Sequence, residues 1–312
     1  VGISQCLLGD NVRFNGGHKH DRLCTGVLTE YFKFVSTCPE VEIGMGTPRR
    51  PIRLVGFDDG IKAVATDSQE QTFHRPLHAR GHAYSDQHPE LCGFIATAGS
   101  PSCGVHGAKL YTANGVPNGK ATGIFAAELK HQNPLLPMED SGRLNDPGLR
   151  ENFILRVFTY HRWKQLCRDG INAKSLMDFH SQHKYLLMSH DIPAYKKAGQ
   201  LLSKAGEQSI NKLANQYIAC LMNAISKPTN RGRHCNVLHH IMGYLKRYID
   251  RQDKRELAQL IEDYRKGIVP LIVPIAMLRH HLEHYRDCQK YALNQVYLSP
   301  YPHELGLRSR VF

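Results

Sequence analysis

Apolar residues are distributed along this chain in two distinct textures. Over residues 1–130 they come in short runs bounded by Gly, Pro, Asn, Asp and Ser, alternating with stretches of helical spacing, as in a βαβ arrangement. Val1-Gly2-Ile3-Ser4-Gln5 runs into Cys6, and Phe34-Val35-Ser36-Thr37 runs into Cys38. Residues 52–57 and 61–66 flank Asp58-Asp59-Gly60, a hairpin signal. The run Leu91-Cys92-Gly93-Phe94-Ile95-Ala96-Thr97 reads as a buried strand. Beyond it, Ala98-Gly99-Ser100-Pro101-Ser102 delivers Cys103 on a tight, exposed loop. Helices are expected over 21–32, 76–87 and 122–130, and a strand over 109–112 before an Asn114-Gly115 turn.

Residues 133–148 are rich in Pro, Asp, Gly and Asn, the composition of a linker. From Leu149 the period becomes helical: Phe153, Val157, Phe158 and His161, then Leu186, Tyr195, Ala198 and Leu201-Leu202. Residues 237–245 and Leu257, Leu260, Ile261 and Tyr264 continue it; 269–274 is a break, and 275–289 reads as another helix. The expected architecture is a Rossmann-like, three-layer α/β domain over 1–145 and an all-α domain over 146–312. No run of eighteen apolar residues exists, so no membrane span is expected, and residues 1–8 do not resemble a signal peptide. Nine cysteines, an odd number, argue against a disulfide framework and for a reducing cytoplasm.

Charge separates the halves further. The chain carries a net +12, but residues 1–145 hold 14 basic and 14 acidic side chains, so the whole excess lies in 146–312. A basic half suits a polyanion, most simply nucleic acid, against the plainer alternative of a solvated basic surface.

Cys6, Cys38 and Cys103 each follow a strand and precede loop residues, and in open α/β sheets the ligand site lies beyond the carboxyl ends of the strands. No Cys-x-x-Cys pair occurs, which disfavours a ribbon or finger zinc site. Three separated thiolates on loops can hold zinc, or an iron–sulfur cluster with one iron free of protein, and spacing alone does not separate these. Cys24, Cys92, Cys167, Cys220 and Cys288 lie within apolar or helical patterns and are expected to be packed thiols.

The combination Ser4-Gln5-Cys6-Leu7-Leu8-Gly9, Arg13-Phe14-Asn15-Gly16-Gly17-His18-Lys19, Cys38-Pro39-Glu40, Gly46-Thr47-Pro48-Arg49 and Ser100-Pro101-Ser102-Cys103-Gly104 resembles the thiouracil desulfidase family. The basic half, through Asn236-Val237-Leu238-His239-His240-Ile241-Met242-Gly243-Tyr244 and Tyr264-Arg265-Lys266-Gly267, resembles the helical domain of unknown function often fused to it. The two-domain form is similar to the bacterial tRNA 4-thiouridine desulfidases. Gln5 departs from the pattern, which has a smaller residue there, but replaces no ligand.

The resemblance implies a [4Fe-4S] cluster held by Cys6, Cys38 and Cys103, with the fourth iron open to a thiocarbonyl sulfur. Water then needs a base. Glu40 is the candidate, because a carboxylate near a dry site can have its pKa raised, and Glu42 is the fallback, against the alternative of a loop carboxylate paired with Arg49 or Arg50. Ser100 could hydrogen-bond the water or the pyrimidine, or simply form the turn.

The implied activity is non-redox removal of sulfur from 4-thiouridine in tRNA. The alternatives are a desulfidase of free thiolated bases and a non-catalytic nucleic-acid-binding protein with a structural metal. His18, Lys19, Arg49, Arg50 and Lys109 adjoin the site in sequence and could meet phosphates. Lys227, Arg231 and Arg233 are expected in a loop, and Lys246 and Arg247 form a second RNA-binding group with Arg251, Lys254 and Arg255. His239-His240 and the cluster His280, His281 and His284 are read as packed or RNA-facing rings rather than ligands. No protein partner is evident.

Overall fold

The computed structural model describes residues 1–310 other than Cys288. Strand β1 (Gly2–Ser4) is followed by β2 (Val35–Thr37), a single helical turn α1 (Pro39–Glu42), and the hairpin β3 (Ile52–Phe57) and β4 (Gly60–Ala65). Helix α2 (His74–Gln87), β5 (Phe94–Ala96), the hairpin β6 (Ala108–Thr112) and β7 (Pro117–Ala121), α3 (Ile124–Gln132) and β8 (Met138–Asp140) complete the α/β part. One sheet has the order β2-β1-β5-β8 and is wholly parallel. The other, β4-β3-β6-β7, pairs two hairpins through a parallel β3–β6 contact. β1, β5 and β8 are buried along their whole length; β5 is apolar throughout, as a strand covered on both faces requires, whereas β8 buries the carboxylates of Glu139 and Asp140.

Packing between α2 and α3 fixes the layer over the parallel sheet. A Cβ on Gly81 would come 2.9 Å from both Phe125 O and Glu128 Cβ, so only glycine permits this approach. Tyr84, Phe94 and Phe125 form a ring cluster with centroids 5.5–6.2 Å apart, and the Tyr84 hydroxyl donates to Val35 O at 2.8 Å.

Two expectations change here. Residues 21–32 are not a regular helix but a π turn (Leu23–Val27) running into a 3-10 turn (Leu28–Glu30). Thr25, Gly26, Val27 and Thr29 are weak helix formers, and the Thr25 and Thr29 hydroxyls bond back to Asp21 O and Thr25 O. The stretch expected as a linker contains β8, paired in register with β5. By compactness the chain divides into units Val1–Phe153 and Ile154–Phe312, within helix α4 (Pro147–Arg168).

The second unit is helical throughout: the rest of α4, then α5 (Ala173–His190), α6 (Ile192–Ser203), α7 (Ile210–Ala224), α8 (Arg231–Met242), α9 (Arg251–Lys266), α10 (Ile272–His284) and α11 (Arg286–Leu293). Asn172, Asp191, Ser209, Asn230 and Asp250 cap the starts of α5 to α9, each side chain accepting a first-turn backbone N–H. The single helix expected over 275–289 is thus two. No helix among the described residues is long and apolar enough to cross a membrane.

Candidate active site

The carboxyl ends of β1, β2 and β5 lie side by side, and each hands on a cysteine. Cys6 sits in the 3-10 turn after β1, Cys38 caps α1 directly after β2, and Cys103 follows the turn after β5. All three line one cavity of about 160 Å³. The loops are as expected, but Cys6 and Cys103 are buried and Cys38 is half-buried, so the thiols face the cavity rather than bulk solvent.

The Cys103 loop is built to hold its shape. Ser100 Oγ accepts the N–H groups of Ser102 at 3.2 Å and Cys103 at 3.1 Å, closing a side-chain turn. Ile124 and Ala126, in the first turn of α3, donate to Pro101 O and Ser102 O at 3.0 and 3.1 Å, so the loop satisfies helix donors that would otherwise be orphaned. At Gly123 a Cβ would fall 2.5 Å from Ser102 O. Downstream, the buried Asp140 carboxylate accepts Val105 N and His106 N at 2.8 and 2.9 Å. Asp140 lies in the segment read as a linker; the short run Leu135-Leu136-Pro137-Met138 was the signal that a strand precedes it.

The thiols are held individually. Cys6 Sγ lies 2.9 Å from Thr97 Oγ1, and Cys38 Sγ donates to Val12 O at 3.6 Å. Burial pushes the Cys103 thiol well above its ordinary pKa and raises that of Cys38; interactions with the neighbouring thiols and with Glu40 add to the effect in both. Among the described residues, no group of three or more His, Cys, Asp or Glu side chains is placed around a single metal ion. The three thiols share one cavity. Such a set of soft donors fits a body of several irons, whose positive charge would hold the thiols deprotonated.

Glu40 reaches the same cavity. Its Oε2 accepts Arg49 Nε at 2.7 Å and its Oε1 accepts the Ser102 hydroxyl at 2.6 Å. Ser102 is fully buried and was not singled out from the sequence, although it neighbours Cys103. Glu42 does not line the cavity: it accepts from Thr37 Oγ1 and Cys38 N and pairs with Arg80. Of the two carboxylates, Glu40 therefore faces the site and Glu42 secures the α1 turn. Ser100 forms the turn and also lines the cavity.

The cations expected to meet phosphate divide. Lys19 is exposed at the cavity, its Nζ donating to Ala98 O at 3.4 Å. Arg49 is corrected: its side chain is 4% exposed, and besides Glu40 it donates to Val12 O and Gly46 O at 2.9 Å, so it is an internal clamp. Arg50 is exposed and lies 3.4 Å from Asp67. In the helical unit, Lys227, Lys246 and Arg247 are exposed. Arg231 and Arg233 are not in a loop: Asn230 caps α8, which places both in its first turn. There Arg231 packs against Gly267 and Arg233 donates to His190 O. Cys24 and Cys92 are packed as expected, and Cys220 is half-buried. Cys167 is corrected to exposed, because the last turn of α4 runs out into solvent beside Gln165 and Arg168. Cys288 lies outside the described residues.

Comparison with known proteins agrees with this division. The model of the 2-thiouracil desulfurase family matches residues 1–141, and that of a protein family of unknown function, DUF1722, matches residues 184–302. The uncharacterized protein YbgA of Escherichia coli (strain K12) is 31% identical over 159 residues, 51% of this chain and 93% of that protein. The uncharacterized protein YbbK of Bacillus subtilis (strain 168) is 30% identical over 138 residues, 41% of this chain and 87% of that protein. Among solved structures, the [4Fe-4S]-dependent thiouracil desulfidase TudS is 22% identical with a TM-score of 0.38, covering 47% of this chain and 93% of that one.

Proposed function

This chain belongs to the 2-thiouracil desulfurase family, with a DUF1722 domain fused behind, and from that membership we propose that it removes sulfur from thiolated uridine in tRNA. The observation that carries the chemistry is one cavity shared by three cysteine thiols and Glu40 at the carboxyl ends of three parallel strands. Cys6, Cys38 and Cys103 would hold a [4Fe-4S] cluster, their number and softness matching a cluster with one iron left free of protein. When bound, that cluster supplies a soft Lewis acid for a thiocarbonyl sulfur.

The reaction balances without electrons. A thiocarbonyl carbon gains the oxygen of one water, and sulfur leaves as hydrosulfide. Glu40 is the group that takes the water's proton, since it lines the cavity and has a carboxylate oxygen directed by each of two neighbours. Ser102 and Arg49 hold it in place. Ser100 lines the cavity beside the turn, and the buried Cys6 and Cys103 form its floor of low water access. The basic second half supports tRNA over a free base, which needs no cationic surface. A second reading, desulfidation of free thiouracil, is favoured by one fact: the family model with that description ends at residue 141, before the helical unit.

The test is anaerobic purification followed by metal analysis and assay for hydrosulfide. The proposal expects about four irons per chain and hydrosulfide release from tRNA containing 4-thiouridine. Release from thiouracil alone selects the second reading. Stoichiometric zinc without iron, and no sulfur release from any substrate, overturns both.

A further inference from the structure

We infer that Phe14 is the surface on which the pyrimidine ring of the substrate stacks, an inference that rests on the desulfidase reading above. Phe14 lines the same cavity as Cys6, Cys38 and Cys103, yet 40% of it is exposed. A large apolar ring left open to water at the wall of this cavity gains from being covered by a flat aromatic ligand.

The ring is also presented by a fixed loop. Arg13 N donates to Gly17 O at 3.0 Å and Gly16 N donates to Arg13 O at 2.9 Å, with Gly16 at φ +75°, closing the loop tightly around Phe14. Arg49 fastens this loop from outside: its backbone N–H donates to Phe14 O at 2.8 Å and its guanidinium to Val12 O at 2.9 Å. That guanidinium also holds Glu40 and approaches Cys38 Sγ at 3.8 Å. One residue therefore ties the backbone that carries the ring to the carboxylate and the thiol, the kind of tether needed to hold a flat substrate against a reacting centre. The Arg13 guanidinium lies 5.6 Å from the Phe14 ring centroid, and among the described residues Arg13 forms no ion pair. It thus backs the ring and keeps positive charge at the cavity where a nucleotide phosphate would enter.

Stacking on an aromatic platform is tolerant of ring substituents but not of loss of the aromatic face. The probe is uridine 5′-monophosphate, which has no sulfur to lose, titrated calorimetrically into the iron-loaded full chain. Phe14→Leu, which keeps an apolar side chain of similar bulk, is expected to weaken binding roughly 5- to 100-fold. Phe14→Tyr and Phe14→Trp are expected to bind within about threefold of the native chain. Iron content and melting temperature should be the same in all four proteins, which separates stacking from a structural role. Equal affinity of Phe14→Leu and the native chain overturns the inference, as does absence of nucleotide binding by the native chain. If binding is ring-dependent but no thiolated pyrimidine loses sulfur, the platform stands and the desulfidase reading fails.

Discussion

Arg49 Nε stands 2.7 Å from Glu40 Oε2, and this contact joins residues nine apart in sequence, one in the α1 turn and the other in the loop before β3. The pair is nearly closed to solvent, with side-chain exposures of 4% and 12%. A buried ion pair adds little compared with apolar packing, but removing one partner strands the other charge. The contact therefore acts as a device of position. It fixes the one cavity carboxylate, and through Val12 O and Gly46 O it ties together the loops on either side.

Arg49→Ala should accordingly destabilise the first unit by about 3 kcal/mol, a fall in melting temperature of roughly 6–12 °C. Arg49→Lys keeps the charge but cannot reach Glu40, Val12 O and Gly46 O together, so it should fall between the two. Calorimetric melting of the three proteins checks this. A native melting temperature in Arg49→Ala would show that the clamp does not hold the fold.

Cys6→Ala, Cys38→Ala and Cys103→Ala should each lose iron and sulfur release. Cys24→Ala and Cys220→Ala should keep both, since neither thiol lines the cavity. Iron analysis of anaerobically purified protein decides the matter, and full loading in Cys38→Ala would mean that the ligand set is wrong.

The sequence displayed the three cysteines because each closes a short apolar run with Gly, Pro or Ser, a local signal that needs no knowledge of sheet order. Glu40 was legible for the same reason, being tied to Cys38 by two residues. The Ser102–Glu40 hydrogen bond was not, because its partners are 62 residues apart and meet only when β1 pairs with both β2 and β5. That a loop carboxylate pairs with Arg49 or Arg50 is legible, but which of the two arginines is buried is not, since nothing local distinguishes Arg49 from the exposed Arg50 next to it. The strand β8 was hidden by its three-residue length among Pro, Asp and Gly. In the helical unit Asn230, between Pro228 and Gly232, is both a turn residue and a helix cap, and only the fold shows that it starts α8 at Arg231.

His183 gives the second unit a pH dependence. Its ring stacks on Phe179 at 3.9 Å, Nδ1 lies 2.8 Å from Phe179 O, and Nε2 is buried with no hydrogen-bond partner among the described residues. Burial, the dominant cause, lowers its pKa from 6.5 to about 3. The folded unit keeps this ring neutral while the unfolded chain protonates it below pH 6.5, so stability is full above that pH and falls as pH drops toward 3. The expected loss from this group is about 2 kcal/mol between pH 7.5 and pH 5. His183→Phe should flatten the dependence of melting temperature over that range. An unchanged slope would assign the acid sensitivity to other groups.

The proposed tRNA footprint can be located by comparing two basic pairs. Arg231 and Arg233 are occupied, one against the Gly267 cap of α9 and the other on His190 O. Reversing them to Glu would break packing, so a loss of affinity in that variant would not identify a contact. Lys246 and Arg247 are exposed in the turn between α8 and α9 and form no ion pair among the described residues. Phosphate contacts release counterions, so binding through this turn should weaken steeply with salt, and each lost contact should reduce the slope of log affinity against log salt by roughly one. Lys246→Glu with Arg247→Glu is therefore expected to weaken tRNA binding strongly and flatten the slope by about two. Iron content and melting temperature should not change, because neither side chain supports the core of its unit. Arg231→Glu with Arg233→Glu should instead lower the melting temperature. If tRNA affinity and its salt slope survive the Lys246 and Arg247 reversals, the basic turn before α9 is a solvated surface and the footprint lies elsewhere.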